Sequence, residues 1–227
     1  MKKGQNSTRL PLAVRAYDIL HEKIITMVLK PGEHVDEKAL VEELGIGRTP
    51  VREALLRLAS ERLVLSEPNK GFSVKPLTLQ DVKSMFEALN ILEIGVCSLA
   101  LNQDVDECIS QMKGAQEHVK SAIEQNNVMG LVKSNHAFHM HFARCSGNEY
   151  IVSALNEVRN EVNRLAYLSF AGVRNLSRDL RDHYRAVIRE HDLIIEYLEK
   201  RQLNPLEQIV KTHIKTFQKR ILNYLAS

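Results

Sequence analysis

The sequence predicts a mainly α protein: an N-terminal winged helix-turn-helix with a small two-stranded wing, then a C-terminal all-α helical bundle. Three observations carry that expectation. Apolar residues recur at helical spacing along most of the chain, and the period drops to about 2 only around residues 63–65 and 72–74. Prolines and glycines are few, 6 and 10 in 227 residues, which favours long helices. The proportions of hydrophobic (44%) and charged (26%) residues suit a globular chain rather than a disordered one.

The elements follow in order. Residues 1–10 are polar and read as a loose segment. Over 12–29, Val14, Tyr17, Leu20, Ile24, Met27 and Val28 keep helical spacing until Lys30-Pro31-Gly32 stops the helix. Asp36 is a good N-cap for a short second helix carrying Ala39, Leu40 and Leu44. Gly45-Ile46-Gly47 is a turn. Thr49 is placed to cap a third helix with Pro50 in its first position, and Val51, Ala54, Leu55 and Leu58 form the buried stripe. Glu67-Pro68-Asn69-Lys70-Gly71 reads as the loop of a two-stranded hairpin. Pro76-Leu77-Thr78 is the junction, with Thr78 capping the next helix, so domains are expected at 11–76 and 77–227. Helical patterns then run over 79–101, 104–126, 128–145, 149–170, 176–201 and 204–225, with no strand pair among them.

Composition narrows the function classes. No apolar stretch reaches the roughly 18 residues that span a bilayer, and Met1-Lys2-Lys3-Gly4 has no apolar run behind it, so a cytoplasmic protein without a membrane partner is expected. Cys97, Cys108 and Cys145 are too few and too scattered for a disulfide framework or a CxxC metal site, and read as reduced, packed thiols. The net charge of +3 sits entirely in residues 1–78, which hold 13 Lys and Arg against 10 Asp and Glu.

That excess matters because of where it lies. The third helix begins Gly47-Arg48-Thr49-Pro50-Val51-Arg52-Glu53. A recognition helix needs polar donors at this end, where they meet base edges in the major groove. Arg48 and Arg52 are four apart, on neighbouring turns, and either has the fork for a bidentate contact to guanine. Lys38 on the preceding helix and Lys70-Gly71 at the wing tip are placed for contacts to the DNA backbone or minor groove. Solvated surface arginines are the plain alternative; the helix-turn-helix with a following wing favours DNA.

Residues 12–75 resemble the winged helix-turn-helix of GntR-type bacterial transcriptional regulators. The match is carried by Pro31-Gly32, Leu44-Gly45, Arg48-Thr49-Pro50-Val51-Arg52-Glu53-Ala54-Leu55 and Gly71-Phe72-Ser73-Val74. Residues 79–222 are similar to the helical ligand-binding domain of the FCD subgroup. The resemblance implies a homodimer on a palindromic double-stranded DNA operator, controlled by a small-molecule effector. By position it implies DNA contacts at Lys38, Arg48, Thr49, Arg52, Lys70 and Gly71. Lys38 stands where many relatives have Arg.

Helical phase singles out three of the nine histidines. At 100° per residue, His139 lies at the edge of the apolar face of its helix, while His191 and His213 are central on theirs; His136 and His141 fall to either side. Phase leaves two readings open: three separately hydrogen-bonded core histidines, or three imidazoles converging with Asn135 on a divalent cation. The resemblance implies the second. FCD domains hold a metal through an Asp-x3-His pair and two later histidines, which here correspond to Asn135, His139, His191 and His213, for Zn, Ni or Mn. Two departures accompany it. Asn135 replaces Asp, and Leu89 stands where many relatives have an effector-binding Arg, with Glu93 fixing the register. An acidic effector then needs the metal, Arg159 or Arg164. Two other functions remain: a metal-dependent hydrolase, against which no HExxH, nucleophile elbow or glycine-rich phosphate loop is present, and a DNA-binding dimer with no effector.

Overall fold

The first helix, α1 (Leu12–Ile25), buries Ala16, Leu20, Ile24 and Ile25. It stops short of the expected residue 29. Met27 takes a left-handed φ of 59°, and the Leu29 N–H donates back to Lys23 O at 3.0 Å. The apolar spacing persists past that stop because Leu29 packs on the same core from the loop. This structure, a computed structural model, describes residues 10–171 and 178–225. Residues 1–9 of the segment read as loose, and 176–177 at the expected start of a helix, lie outside the described residues.

The chain divides into two compact units, Met1–Leu77 and Thr78–Ser227. In the first, a two-residue strand β1 (His34–Val35) follows α1. Asp36 caps α2 (Glu37–Leu44), accepting from the N–H groups of Lys38 and Ala39. Gly45 ends that helix at φ 61°, a conformation that favours glycine. Helix α3 (Arg48–Ser60) starts one residue before the expected cap: Gly47 is the N-cap, and Thr49 is the second helical residue. Pro50 is tolerated in the first turn because its missing N–H has no intrahelical acceptor there.

The wing corrects the two-strand expectation. Strands β2 (Val64–Glu67) and β3 (Gly71–Val74) form the hairpin, but β1 pairs antiparallel with the other edge of β3, giving a three-stranded sheet in the order β1-β3-β2. A two-residue strand is too short to show alternation, so periodicity had nothing to detect. The sheet closes over an apolar core that includes Leu20, Val35, Val51, Leu55, Leu58, Phe72 and Val74. Each such burial is worth about 1.5–3 kcal/mol.

The second unit is all helix among the described residues: α4 (Leu79–Ala100), α5 (Asp106–Glu124), α6 (Val128–Arg144), α7 (Glu149–Ala171), α8 (Arg178–Glu199) and α9 (Leu203–Leu225). Thr78 and Asp81 form a capping box at the start of α4. Helix α4 packs on α7 and α9, α5 on α6 and α8, α6 on α7, and α8 on α9. Cys97, Cys108 and Cys145 are free thiols. Burial pushes the Cys97 thiol up to about 12, which keeps it protonated and unreactive.

Candidate nucleic-acid face and three-histidine centre

The first unit presents its polar groups at the start of α3. Arg48 and Thr49 are exposed there. Their N–H groups belong to the first turn and lack intrahelical acceptors. Arg52, one turn on, is also exposed but engaged: its guanidinium donates to Glu37 at 3.1 Å and stands 5.6 Å from the Phe72 ring centre in β3. Arg52 thus contacts both α2 and the wing. Lys38 is exposed on α2. At the wing tip Lys70 donates to Glu67 at 2.6 Å. Gly71 takes φ 78°, so its part in the tip is backbone shape rather than a side-chain contact.

The second unit keeps its polar groups inside. His139 of α6, His191 of α8 and His213 of α9 are all buried, and each offers one nitrogen within 4.8 Å of the others. His139 Nε2 and His213 Nε2 are 3.2 Å apart. The His191 ring stacks on Phe138, centres 3.8 Å apart and 9° from parallel. His136 and His141 are not in the cluster; they meet Asn163 and Arg144 instead.

Each imidazole is oriented from outside. His213 Nδ1 lies 2.9 Å from Glu190 Oε2, whose other oxygen accepts from the Thr216 hydroxyl at 2.6 Å. Gln116 directs its amide nitrogen at Ile188 O and Asp192, so its oxygen faces His191 Nδ1 at 2.8 Å. His139 Nδ1 is shared between Arg159 at 2.6 Å and Glu93 at 3.3 Å. Arg159 and Glu93 are also bonded to each other.

Electrostatics keep two of these rings, His139 and His191, uncharged. Burial, with the Arg159 charge, brings His139 down to about 3 against the opposing pull of Glu93. Burial, with His213 and His139 beside it, lowers His191 as well. Burial pushes the Glu93 carboxyl up, but Arg159 and His139 more than reverse this and hold it below the usual carboxylate range. At neutral pH His139 and His191 are therefore uncharged donors of lone pairs.

A cavity of ≈ 40 Å³ adjoins the centre, with a mostly apolar wall that includes Leu89 and Phe170 and polar groups that include Asn135, Arg159, His183 and His213. That is room for about three waters. Asn135 and Arg159 are thus brought together with a cluster histidine. Arg164 is not on this wall; it is fully buried and donates to Glu161 at 2.9 Å. It lies five positions after Arg159, which puts the two on different faces of α7.

The sequence reading missed Gln116, Glu190 and His183, and used Glu93 only for register. Two of these were visible as polar interruptions of apolar stripes: Glu93 between Leu89 and Val96 on α4, and Gln116 between Met112 and Val119 on α5. Glu190 carried no such signal.

A winged helix-turn-helix exposing arginines at the start of its third helix, in one chain with a second, all-helical unit, marks a DNA-binding transcription regulator as a class. The chain belongs to the GntR family: the profile for bacterial regulatory proteins of the gntR family matches residues 12–74, and that for the FCD domain matches 84–216. It is a DNA-binding transcriptional regulator with an effector-binding FCD domain, and not an enzyme. The hydrolase alternative ends there. The chain is similar to an uncharacterized HTH-type transcriptional regulator, YdhC, of Bacillus subtilis, 25% identical over 205 residues that cover 89% of this chain and 88% of that protein. It is 32% identical over 146 residues to the HTH-type transcriptional regulator LutR of the same species, covering 57% and 66%. Among solved structures, Escherichia coli McbR/YncC shares the fold at a TM-score of 0.76 and 20% identity, covering 96% of this chain and 99% of that one. No described helix is long and apolar enough to cross a membrane.

Proposed function

We propose that the protein acts as a homodimer on a palindromic operator and that its FCD domain holds a divalent cation together with a small acidic metabolite. One observation carries the second half: three buried imidazoles offer nitrogens within 4.8 Å of one another. The donor set fits a cation. His191 Nε2 is buried without a hydrogen-bond partner, an arrangement that is costly unless something binds there. His139, His191 and His213 would hold the ion, with the Asn135 amide oxygen as a fourth donor. Imidazole nitrogens suit Zn²⁺ or Ni²⁺, while Mn²⁺ would draw on the Asn135 amide oxygen and water as its preferred donors. When bound, the ion supplies positive charge for an effector carboxylate. Arg159, in the cavity wall, supplies the second cation. Arg164, paired with Glu161 off that wall, serves packing within the bundle.

On the DNA side, Arg48 and Arg52 read bases, Thr49 and the first N–H groups of α3 take a phosphate, and Lys38 and Lys70 take the backbone. Gly71 keeps the wing tip in shape. A single unit reads only a few base pairs, and two-fold operators call for two.

The test uses purified wild-type protein. Elemental analysis after dialysis is expected to find Zn²⁺, Ni²⁺ or Mn²⁺, light scattering a dimer, and mobility shift a specific complex with the promoter of its own gene. Protein that takes up none of the three ions on titration overturns the metal reading. A monomer with and without DNA overturns the dimer.

A further inference from the structure

We propose that Arg159 gates the three-histidine site: it holds His139 in the tautomer whose Nε2 carries hydrogen, and loading the site releases it toward the cavity to receive an acid. This rests on the metal reading above and goes beyond it, since it names what the chain must rearrange before the site can bind.

His213 Nδ1 faces a carboxylate, Glu190, at 2.9 Å. A carboxylate only accepts, so Nδ1 carries a hydrogen, and in the neutral ring Nε2 presents a lone pair. His191 Nδ1 faces the Gln116 oxygen at 2.8 Å, so its Nε2 is also a bare lone pair, and it is buried without a partner. Two of the three rings are already set for a cation. His139 is set the other way. An arginine nitrogen, which only donates, lies 2.6 Å from His139 Nδ1. Nδ1 must then accept, and the ring hydrogen sits on Nε2, where it is donated to His213 Nε2 at 3.2 Å. The result is a continuous chain running from Arg159 through His139 and His213 to Glu190.

Ligation through His139 Nε2 needs the opposite tautomer, with hydrogen on Nδ1. An acceptor for it is in place: Glu93 Oε1 lies 3.3 Å from Nδ1. Arg159 is the obstacle, because its N–H and a ring Nδ1–H would face each other as two donors with no acceptor between them. His139 is neutral in both states; only the position of its hydrogen changes. Arg159 already lines the cavity, and its Nε, buried without a partner, is a further donor for a carboxylate bound there. Cation and acid would therefore bind with positive coupling. Arg159 is a positioning residue for the metal and a contact for the acid.

The first experiment needs no variant. Long-range ¹H–¹⁵N correlation of the histidine rings in metal-free wild-type protein reports which nitrogen carries hydrogen. Expected are Nε2–H for His139 and Nδ1–H for His191 and His213, with His139 switching to Nδ1–H on Zn²⁺ addition. Nδ1–H for His139 in the metal-free protein overturns the gate. The second experiment is Zn²⁺ titration of Arg159→Met and Arg159→Lys. Freed from Arg159, His139 turns its Nδ1–H to Glu93, so Arg159→Met binds Zn²⁺ about tenfold or more tightly than wild type. A merely structural role predicts weaker binding. Arg159→Lys keeps the charge but not the reach, and is expected to show the Nδ1–H tautomer too. Equal Zn²⁺ affinity in wild type and Arg159→Met overturns the gate and leaves the metal reading standing. No Zn²⁺ uptake by either removes the metal reading and the coupling with it.

Discussion

The two units bury opposite kinds of residue. Among the described residues, the buried polar and charged side chains, Glu93, Arg159, His139, His191 and His213 among them, all belong to the unit that begins at Thr78. The interior of the winged unit is apolar, from Ala16 to Val74. Its polar groups, Arg48, Thr49 and Arg52, stand outside. In the winged unit the core holds a shape and the surface carries the function. In the helical unit the proposed function would make the core itself the binding surface, so that stability and chemistry would depend on the same residues.

The sharpest way to break that contrast is the double variant His191→Ala with His213→Ala. It removes two of the three imidazoles, and one remaining ring cannot complete a first shell. Bound metal is expected to fall to background by elemental analysis. DNA binding in the metal-free state should persist, because no residue of the winged unit is touched. Equal metal content in wild type and variant would sink the metal site.

The converse variant is Leu55→Ala, fully buried in the apolar core of the winged unit. Its cavity is expected to cost about 2–5 kcal/mol, read as a shifted urea transition that also removes DNA binding. Metal content should stay at the wild-type level. A loss of metal would mean that the two units do not fold independently.

This contrast also explains what was legible in the sequence. The winged unit was readable almost element by element, since caps, Gly turns and apolar period are local signals: Asp36, Gly45 and the 51-54-55-58 stripe all act as read. What escaped was β1, too short to show alternation. In the helical unit, phase alone pointed His139, His191 and His213 inward, and the structure brings them together. Their orienting groups were less accessible. Gln116 meets His191 across 75 positions of chain, and Glu190 meets His213 across 23. Such pairs depend on how helices dock, which periodicity within one helix does not encode.

A milder test acts on the winged unit's surface. Arg48→Ala is expected to weaken specific operator binding by about 1–3 kcal/mol, the scale of one bidentate base contact. Arg48 is exposed and makes no ion pair among the described residues, so the urea midpoint should not move. Arg52→Ala is the less clean variant, because it also removes the bond to Glu37. Mobility shifts in which Arg48→Ala binds the operator as wild type does would show that α3 does not read it.

The smallest effect is expected at Asn135, where the helical unit's chemistry is least complete. Asn135 lies one turn before His139 on α6 and lines the cavity that His213 also lines. Its amide offers a neutral oxygen, and His139 and His191 are uncharged as well. A cation there gains no formal negative charge from these groups. Asn135→Asp adds one at nearly constant size. Asn135 is half-buried rather than enclosed, so water screens part of the gain. The expected tightening of Zn²⁺ binding is about tenfold, or ~1.4 kcal/mol. The same added charge repels an acidic effector, so acid binding should weaken as metal binding strengthens. His136→Ala is the control, since its ring turns to Asn163 instead of the cluster. If Asn135→Asp leaves Zn²⁺ affinity unchanged while the double histidine variant loses it, Asn135 is cavity wall, and the fourth donor comes from water or the effector.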